Sequence, residues 1–245
     1  MDYQPRTIVQ SSFQLAWLEA LRALSNNQWQ LRNLVVHASD PSAFDDGFHK
    51  QVTEFCRRHQ LLGPKHVAYT IFPHKQYATR GSASEVFTAY NRPRGLYERL
   101  HTRSKGEWGT YFRRMTHYET GGGAVNQLRD ILRAIRARQQ IWKAAYTIVL
   151  TRPGSEAVRP RGAPCLSYIA VQLEPSAPRP VLGLLCVYRH HDFLERAYGN
   201  YWGLCNLARF LAREGACQPG PVTWVSSRAY VNQLRGPVRG LLAAL

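Results

Sequence analysis

Apolar residues fall at helical spacing in SSFQLAWLEALRALSNN, where Phe13, Leu15, Ala16, Trp17, Leu21 and Leu24 recur and the leading serines can cap the first turn. LRNLVVHA then reads as a strand closed by the breaker DPS, FHKQVTEFCRRH as a second amphipathic helix, and HVAYTIF as a strand ending at Pro73. SEVFTAYNRPRGLYERLHTR predicts helix in two pieces, broken at Pro93. GEWGTYFRRMTHYETGGG, rich in glycine and aromatics, predicts a loop suited to face a ligand. In NQLRDILRAIRARQQ, Leu128, Ile131, Leu132 and Ile135 form one helical face, and Arg129, Arg133 and Arg136 lie off it as a solvated side. AAYTIVL reads as a strand, RPGSEAVRPRGAP as a loop, and CLSYIAVQLE and PVLGLLCVY as two strands joined by SAPRP. A helix through Asn200 runs to about Glu214 and stops at Gly215. PVTWVSSRAYV is a last strand, followed by a short tail. No repeat or linker interrupts the pattern, so it predicts one α+β domain over residues 1–245.

Composition narrows the function classes. Hydrophobic content of 44% supports a core without staples, and no apolar run has the length of a membrane helix. The N-terminal MDYQPRTIVQ lacks the basic-then-apolar layout of a secretion signal, and the five cysteines form no CxxC pair and no zinc spacing. Together these predict a cytoplasmic protein with reduced thiols and no metal site. The net charge of +16 suits either a nucleic-acid binder or an enzyme acting on anions. Only five of the 32 basic residues are lysine, and no zinc-finger, RNP or helix-turn-helix signature is present. Nucleic acid is therefore possible as a partner but not favoured.

The richest chemistry lies in YRHHDFLERAYGN. Arg189, His190, His191 and Asp192 follow the apolar strand LGLLCVY, and Asn200 leads into the apolar stretch YWGLCNLARFLA. Polar groups on a buried helix need partners, supplied by an internal network or by a shared pocket. A pocket of this kind suits a planar, amide-bearing ligand: Arg meets an anion, and Asn donates and accepts at a pyrimidine edge. His190 and His191 alternate in direction along a strand and do not form a metal pair by themselves. Trp202 and Trp224 read as packing residues.

The order from Pro164 onward is Pro-Cys, two strands, YRHHD, eight residues from Asp192 to Asn200, a long apolar helix, Gly220, a tryptophan-bearing strand and Ser-Arg-Ala-Tyr. This resembles the C-terminal half of thymidylate synthase and its relatives, the pyrimidine nucleotide hydroxymethylases. NQLRDILRAI resembles the family's D-Q-L helix, and AWLEALRAL the first helix of its short members. The likeness is specific over about residues 125–235 and faint before them. It implies a three-layer fold with a mixed sheet packed against a long buried helix, and a homodimer joined back to back through its sheets. It also implies 5,10-methylenetetrahydrofolate as cofactor and transfer of a methyl or hydroxymethyl group to C5 of a pyrimidine nucleotide or related compound. Cys165 would be the nucleophile, Arg189 would contact its sulfur and the substrate phosphate, and His190 would stand beside that phosphate. Asp192 would hold the pterin, Asn200 would read the pyrimidine edge, and Tyr230 would hold the ribose hydroxyl, with Arg228 two residues before it. Tyr111 would be an acid/base tyrosine.

Departures from the family pattern accompany these matches. KAAYTIVL lacks the paired arginines that hold the phosphate, for which Arg138, Lys143 and Arg152 are candidates. Leu166 stands where the classical synthases have His, and Glu19 and Glu107 are the candidates for the catalytic glutamate. These departures keep open a catalytically degenerate nucleotide-binding protein, as the net charge of +16 keeps open a basic nucleic-acid-binding protein. They also point to a specialised pathway of modified nucleosides.

Overall fold

The computed structural model describes residues 4–101, 108–137, 146–159, 162–176 and 178–245. The chain opens with β1 (Arg6–Gln10), α1 (Phe13–Asn26), β2 (Gln30–Ala38), α2 (Asp46–Arg58) and α3 (Pro64–Ile71). Then come α4 (His74–Arg80), α5 (Ala83–Asn91), α6 (Leu96–His101), α7 (Tyr111–Thr116), a hairpin of β3 (Tyr118–Thr120) and β4 (Gly123–Val125), and α8 (Gln127–Ala137). The remainder is β5 (Tyr146–Val149), α9 (Pro153–Glu156), β6 (Leu166–Glu174), β7 (Val181–Tyr188), β8 (His191–Asp192), α10 (Tyr198–Glu214), β9 (Gln218–Tyr230) and α11 (Arg235–Ala244).

Seven strands form one mixed sheet in the order β1-β2-β9-β7-β6-β5, with β8 adding to β9. β9 runs parallel to β7 and antiparallel to β2, and α10 is the crossover that makes the parallel step. Alternation along the strands sends Leu34, Val36, Leu184, Cys186, Val222 and Trp224 to the inner face, where they are fully buried. On that face α1 packs on β2, and α10 on β7 and β9. The fold is thus α+β, with a mixed sheet packed against helices.

α10 is apolar almost all round because it lies between the sheet and α3. Two glycines allow the close approach. A Cβ at Gly199 would stand 2.6 Å from Val67 Cβ and 2.8 Å from Pro64 O, and one at Gly203 would stand 2.9 Å from Ala68 O. α3 itself corrects the expectation of a strand at HVAYTIF. Pro64 occupies the first turn, and Pro64, Val67, Ala68 and Ile71 are buried at helical spacing. β-branched composition suggested a strand, and docking on α10 decided for helix.

Other expectations also change. The predicted loop after Gly106 contains α7, whose cap is Thr110: its hydroxyl accepts from Arg113 N. It continues into the β3–β4 hairpin. The loop before Cys165 contains one helical turn led by Pro153, and the tail folds as α11, with Val238 and Leu241 buried. β1, not foreseen, pairs in parallel with β2. Among the described residues no helix is long and apolar enough to cross a membrane.

Candidate active site

Chain geometry after β7 creates the site. The chain leaves the sheet at Arg189 and His190 and rejoins it as β8, where His191 pairs with Ala229 and Asp192 with Tyr230. Asp192 then caps a π-helical turn over Phe193–Ala197: its Oδ1 accepts from Leu194 N at 3.0 Å and Glu195 N at 2.9 Å. This wide turn precedes α10 and contributes Glu195 and Arg196 to the same side as Asn200. Facing them, Cys165 sits just before β6. Its carbonyl accepts from Arg189 N at 3.0 Å, and the Tyr111 hydroxyl accepts from Cys165 N and Leu166 N, each at 3.2 Å.

These segments enclose a cleft of about 400 Å³. Cys165, Tyr111, His190, Asp192, Asn200 and Tyr230 all line it, with Trp108, Glu195, Arg196, Val67 and Thr70. Its size is in the range of small-molecule sites.

Asn200 is held from behind. Its Nδ2 donates to His191 Nε2 at 3.1 Å, and His191 Nδ1 meets Ser226 Oγ at 3.0 Å. With Nε2 accepting, the imidazole proton sits on Nδ1 and is donated to Ser226. Burial lowers the His191 pKa to about 3, so the ring is neutral, and it stacks on Tyr188 at 3.8 Å. His191 and Asn200 are therefore partnered, and the Asn200 carbonyl oxygen and second amide hydrogen remain for the cleft.

Burial dominates the electrostatics. It pushes the Cys165 thiol above its ordinary pKa; Arg189 and Arg196 pull the other way without reversing it, and Asp192 adds to the rise. Burial also raises the Asp192 carboxyl against its two backbone hydrogen bonds, raises the Tyr111 hydroxyl strongly, and raises Tyr230 to about 12. His190, its ring 4.2 Å from that of Tyr230, is lowered by burial and then by Arg228 and Arg189. The remaining cysteines, Cys56, Cys186, Cys205 and Cys217, are buried in the core.

Several expected residues stand elsewhere. The Arg189 guanidinium is turned to backbone carbonyls, with Nε 3.2 Å from Pro164 O and Nη1 2.6 Å from Arg159 O. Arg228 is exposed beyond the Tyr230 ring and reaches Gln30 Oε1 at 3.5 Å. Glu19 pairs with Arg22 on the surface of α1. Glu107, Arg138 and Lys143 lie outside the described residues. Glu195, whose Oε1 accepts from Gln233 Nε2 at 2.7 Å, and Arg196 were missed. An Asp followed at the third position by Glu is a helix-start signal that points to both. The organising role of His191 depends on Ser226, far away in sequence, so no local pattern marks it.

A thiol, two carboxylates, a guanidinium, a fixed amide and aromatic walls converge here, a set able to hold a planar heterocycle and attack it. Among the described residues no group of His, Cys, Asp or Glu is arranged to hold a metal ion. Compared with known protein families and with curated proteins, the chain matches no family model and no curated protein.

Proposed function

We infer that the protein is a thymidylate synthase-like enzyme that transfers a one-carbon unit to C5 of a pyrimidine nucleotide or a related compound. The observation that carries this reading is the meeting of Cys165, Asp192 and Asn200 in one cleft, with Asn200 fixed by His191. The Cys165 sulfur adds to C6, and the electron pair of the C5–C6 double bond moves toward C5 and O4. Asn200 donates to the developing charge at O4. Arg189 and Arg196 stabilise the thiolate. Tyr111, with a strongly raised pKa, remains protonated and serves as a proton donor rather than a base.

The residues present fit a reduced folate. Asp192 uses Oδ1 for both cap hydrogen bonds, leaving its second oxygen for the polar edge of a pterin, and Trp108 and Tyr230 offer flat walls for its rings. 5,10-Methylenetetrahydrofolate, when bound, supplies the carbon. Binding of tetrahydrofolate, followed by tryptophan fluorescence, is expected to weaken in Asp192→Asn.

The deciding experiment is exchange of the C5 hydrogen in heavy water. Uracil and cytosine nucleosides and nucleotides are incubated with the protein, with and without 5,10-methylenetetrahydrofolate, and followed by mass spectrometry. Exchange that requires Cys165 identifies the base, and the added mass separates a methyl from a hydroxymethyl product. Exchange that persists in Cys165→Ala would refute the mechanism.

A second reading, a nucleotide-binding protein without chemistry, is favoured by one observation: the Arg189 guanidinium is already engaged by two carbonyls. It predicts tight nucleotide binding with no exchange. In either case a homodimer is expected. Thr7, Val35, Val225, Val187, Tyr168 and Val149 form a row across the outer face of the sheet, half-buried or exposed, which a second copy would cover. Sedimentation at micromolar concentration tests this, and a monomer would refute it.

A further inference from the structure

Trp108 also lines a second cleft, of about 460 Å³. Arg113 and Arg114 of α7 and Arg152 and Arg159 flanking α9 contribute to its walls. Among the described residues that line it, four arginines face two glutamates, Glu119 and Glu156, a surplus of two positive charges.

The arginines differ in what they are doing. Arg114 is structural: it is buried against Glu156 and also donates to the carbonyls of Leu150 and Trp108. Arg152 is not saturated. Its Nη2 meets Glu119 at 2.7 Å, but its Nε is buried and makes no hydrogen bond among the described residues. Glu119 is a surface counter-ion, 65% exposed, which an incoming anion can displace. Arg113 rests on the Tyr97 ring at 5.0 Å and spends Nη1 on Asn91 Oδ1. A guanidinium N–H without an acceptor leaves Arg152 underbonded, and phosphate oxygens match the guanidinium fork at the exposed edge that Glu119 now occupies.

This placement bears on the arginine pair absent from KAAYTIVL. The fold brings Arg113 of α7 together with Arg152 and Arg159, which flank α9, beside the cleft that holds Cys165. We propose that this second cleft is an anion subsite, and that it takes the phosphate of the ligand whose ring lies against Cys165. The second half rests on the function inferred above; the first half does not.

The test has two arms. In the first, binding of inorganic phosphate at constant ionic strength is followed by phosphorus NMR. Saturable binding is expected, weakened about tenfold in Arg152→Gln and further in the Arg113→Gln/Arg152→Gln pair, in line with loss of charged hydrogen bonds. Arg152→Lys, which keeps the charge, should retain most of the affinity, and Arg179→Gln on the exposed β6–β7 turn should change nothing. Thermal melts confirm that each variant folds, and Arg152→Gln alone suffices if the double variant does not. Absence of saturable binding, or binding indifferent to Arg152, overturns the subsite.

In the second arm, C5 exchange is compared between uridine and uridine 5′-monophosphate. A preference for the nucleotide that shrinks in Arg152→Gln supports the shared ligand. Phosphate binding that depends on Arg152, with no exchange on any pyrimidine, leaves the subsite standing and removes the C5 chemistry. Equal exchange of nucleoside and nucleotide leaves the chemistry standing and removes the shared ligand.

Discussion

The two walls of the Cys165 cleft are built by different means. One wall is nearly a single run of chain: His190 to Asn200, continuous through β8, the π-helical turn and the start of α10. The other is assembled from α3, the Trp108–Tyr111 segment and the approach to β6, which meet only through packing. The first wall presents an amide and two carboxylates, to which the proposed function gives recognition. The second presents Cys165, its proposed nucleophile, and the Tyr111 hydroxyl that holds the backbone there. A local wall tolerates shifts elsewhere in the molecule, whereas an assembled wall depends on every contact that brings its pieces together.

The largest expected effect falls on the assembled wall. Cys165→Ala should abolish C5 exchange while circular dichroism and melting stay close to wild type, since the thiol is half-buried at a cleft rather than in the core. Next, Tyr111→Phe removes the acceptor of two backbone N–H groups beside the nucleophile and the proposed proton donor. Turnover should fall about 100-fold, as for loss of a positioned acid, with a lower denaturation midpoint. Retained turnover would place Tyr111 outside the chemistry.

Gly199→Ala probes the seam between the walls. Its Cβ would collide with Val67 Cβ and Pro64 O, so α3 must shift. Overpacking of this kind costs about 1–3 kcal/mol, read from urea denaturation. The same variant should raise KM through displaced Val67 and Thr70. An unchanged midpoint would mean that α3 yields freely.

On the local wall the expected effect is small near neutral pH and grows as the pH falls. The folded-state pKa of His191 is about 3, depressed from 6.5 by burial. Below about pH 6.5 the unfolded chain binds a proton that the folded chain refuses, so stability falls as pH drops from there towards 3. His191 should contribute up to about 1.4 kcal/mol per pH unit in that window. His191→Gln should flatten that slope in acid melts; a slope unchanged by the substitution would show that other groups set it.

Smallest of all is the effect of Arg196. Because burial holds the Cys165 thiol above its ordinary pKa, alkylation by iodoacetamide should still be rising past about pH 8.5. Removing the Arg196 charge should move that profile a little further up. Mass mapping should find the label on Cys165, the other cysteines being buried. A thiol that titrates below the ordinary range would contradict the dominance of burial.

Legibility in the sequence follows the same division. Asp192, Asn200 and His190 were readable because one strand, one cap and one helix start hold them in fixed succession. Tyr230 was readable because β9 is a long strand with clear alternation. Arg228 does not line the cleft: it lies exposed on β9, before the two residues that pair with β8, and borders Gln30 and Arg32 instead. Arg189 follows β7, and its guanidinium meets carbonyls of Pro164 and Arg159 that no local pattern announces. Glu195 and Arg196 depend on a π-helical turn, which has no hydropathy period of its own.

By itself, the sequence determined the strands β2, β6, β7 and β9, the amphipathic helices α1, α2 and α8, and the polar run that opens α10, because alternation, helical spacing and capping are local. Tertiary structure decided that HVAYTIF is a helix, because Gly199 and Gly203 let it dock on α10. Tertiary structure also decided that His191 supports Asn200, and that Arg113 of α7 meets Arg152 and Arg159 beside α9 at one cleft. Those outcomes depend on contacts between residues far apart in the chain, where free energy is set by packing and desolvation rather than by neighbours in sequence.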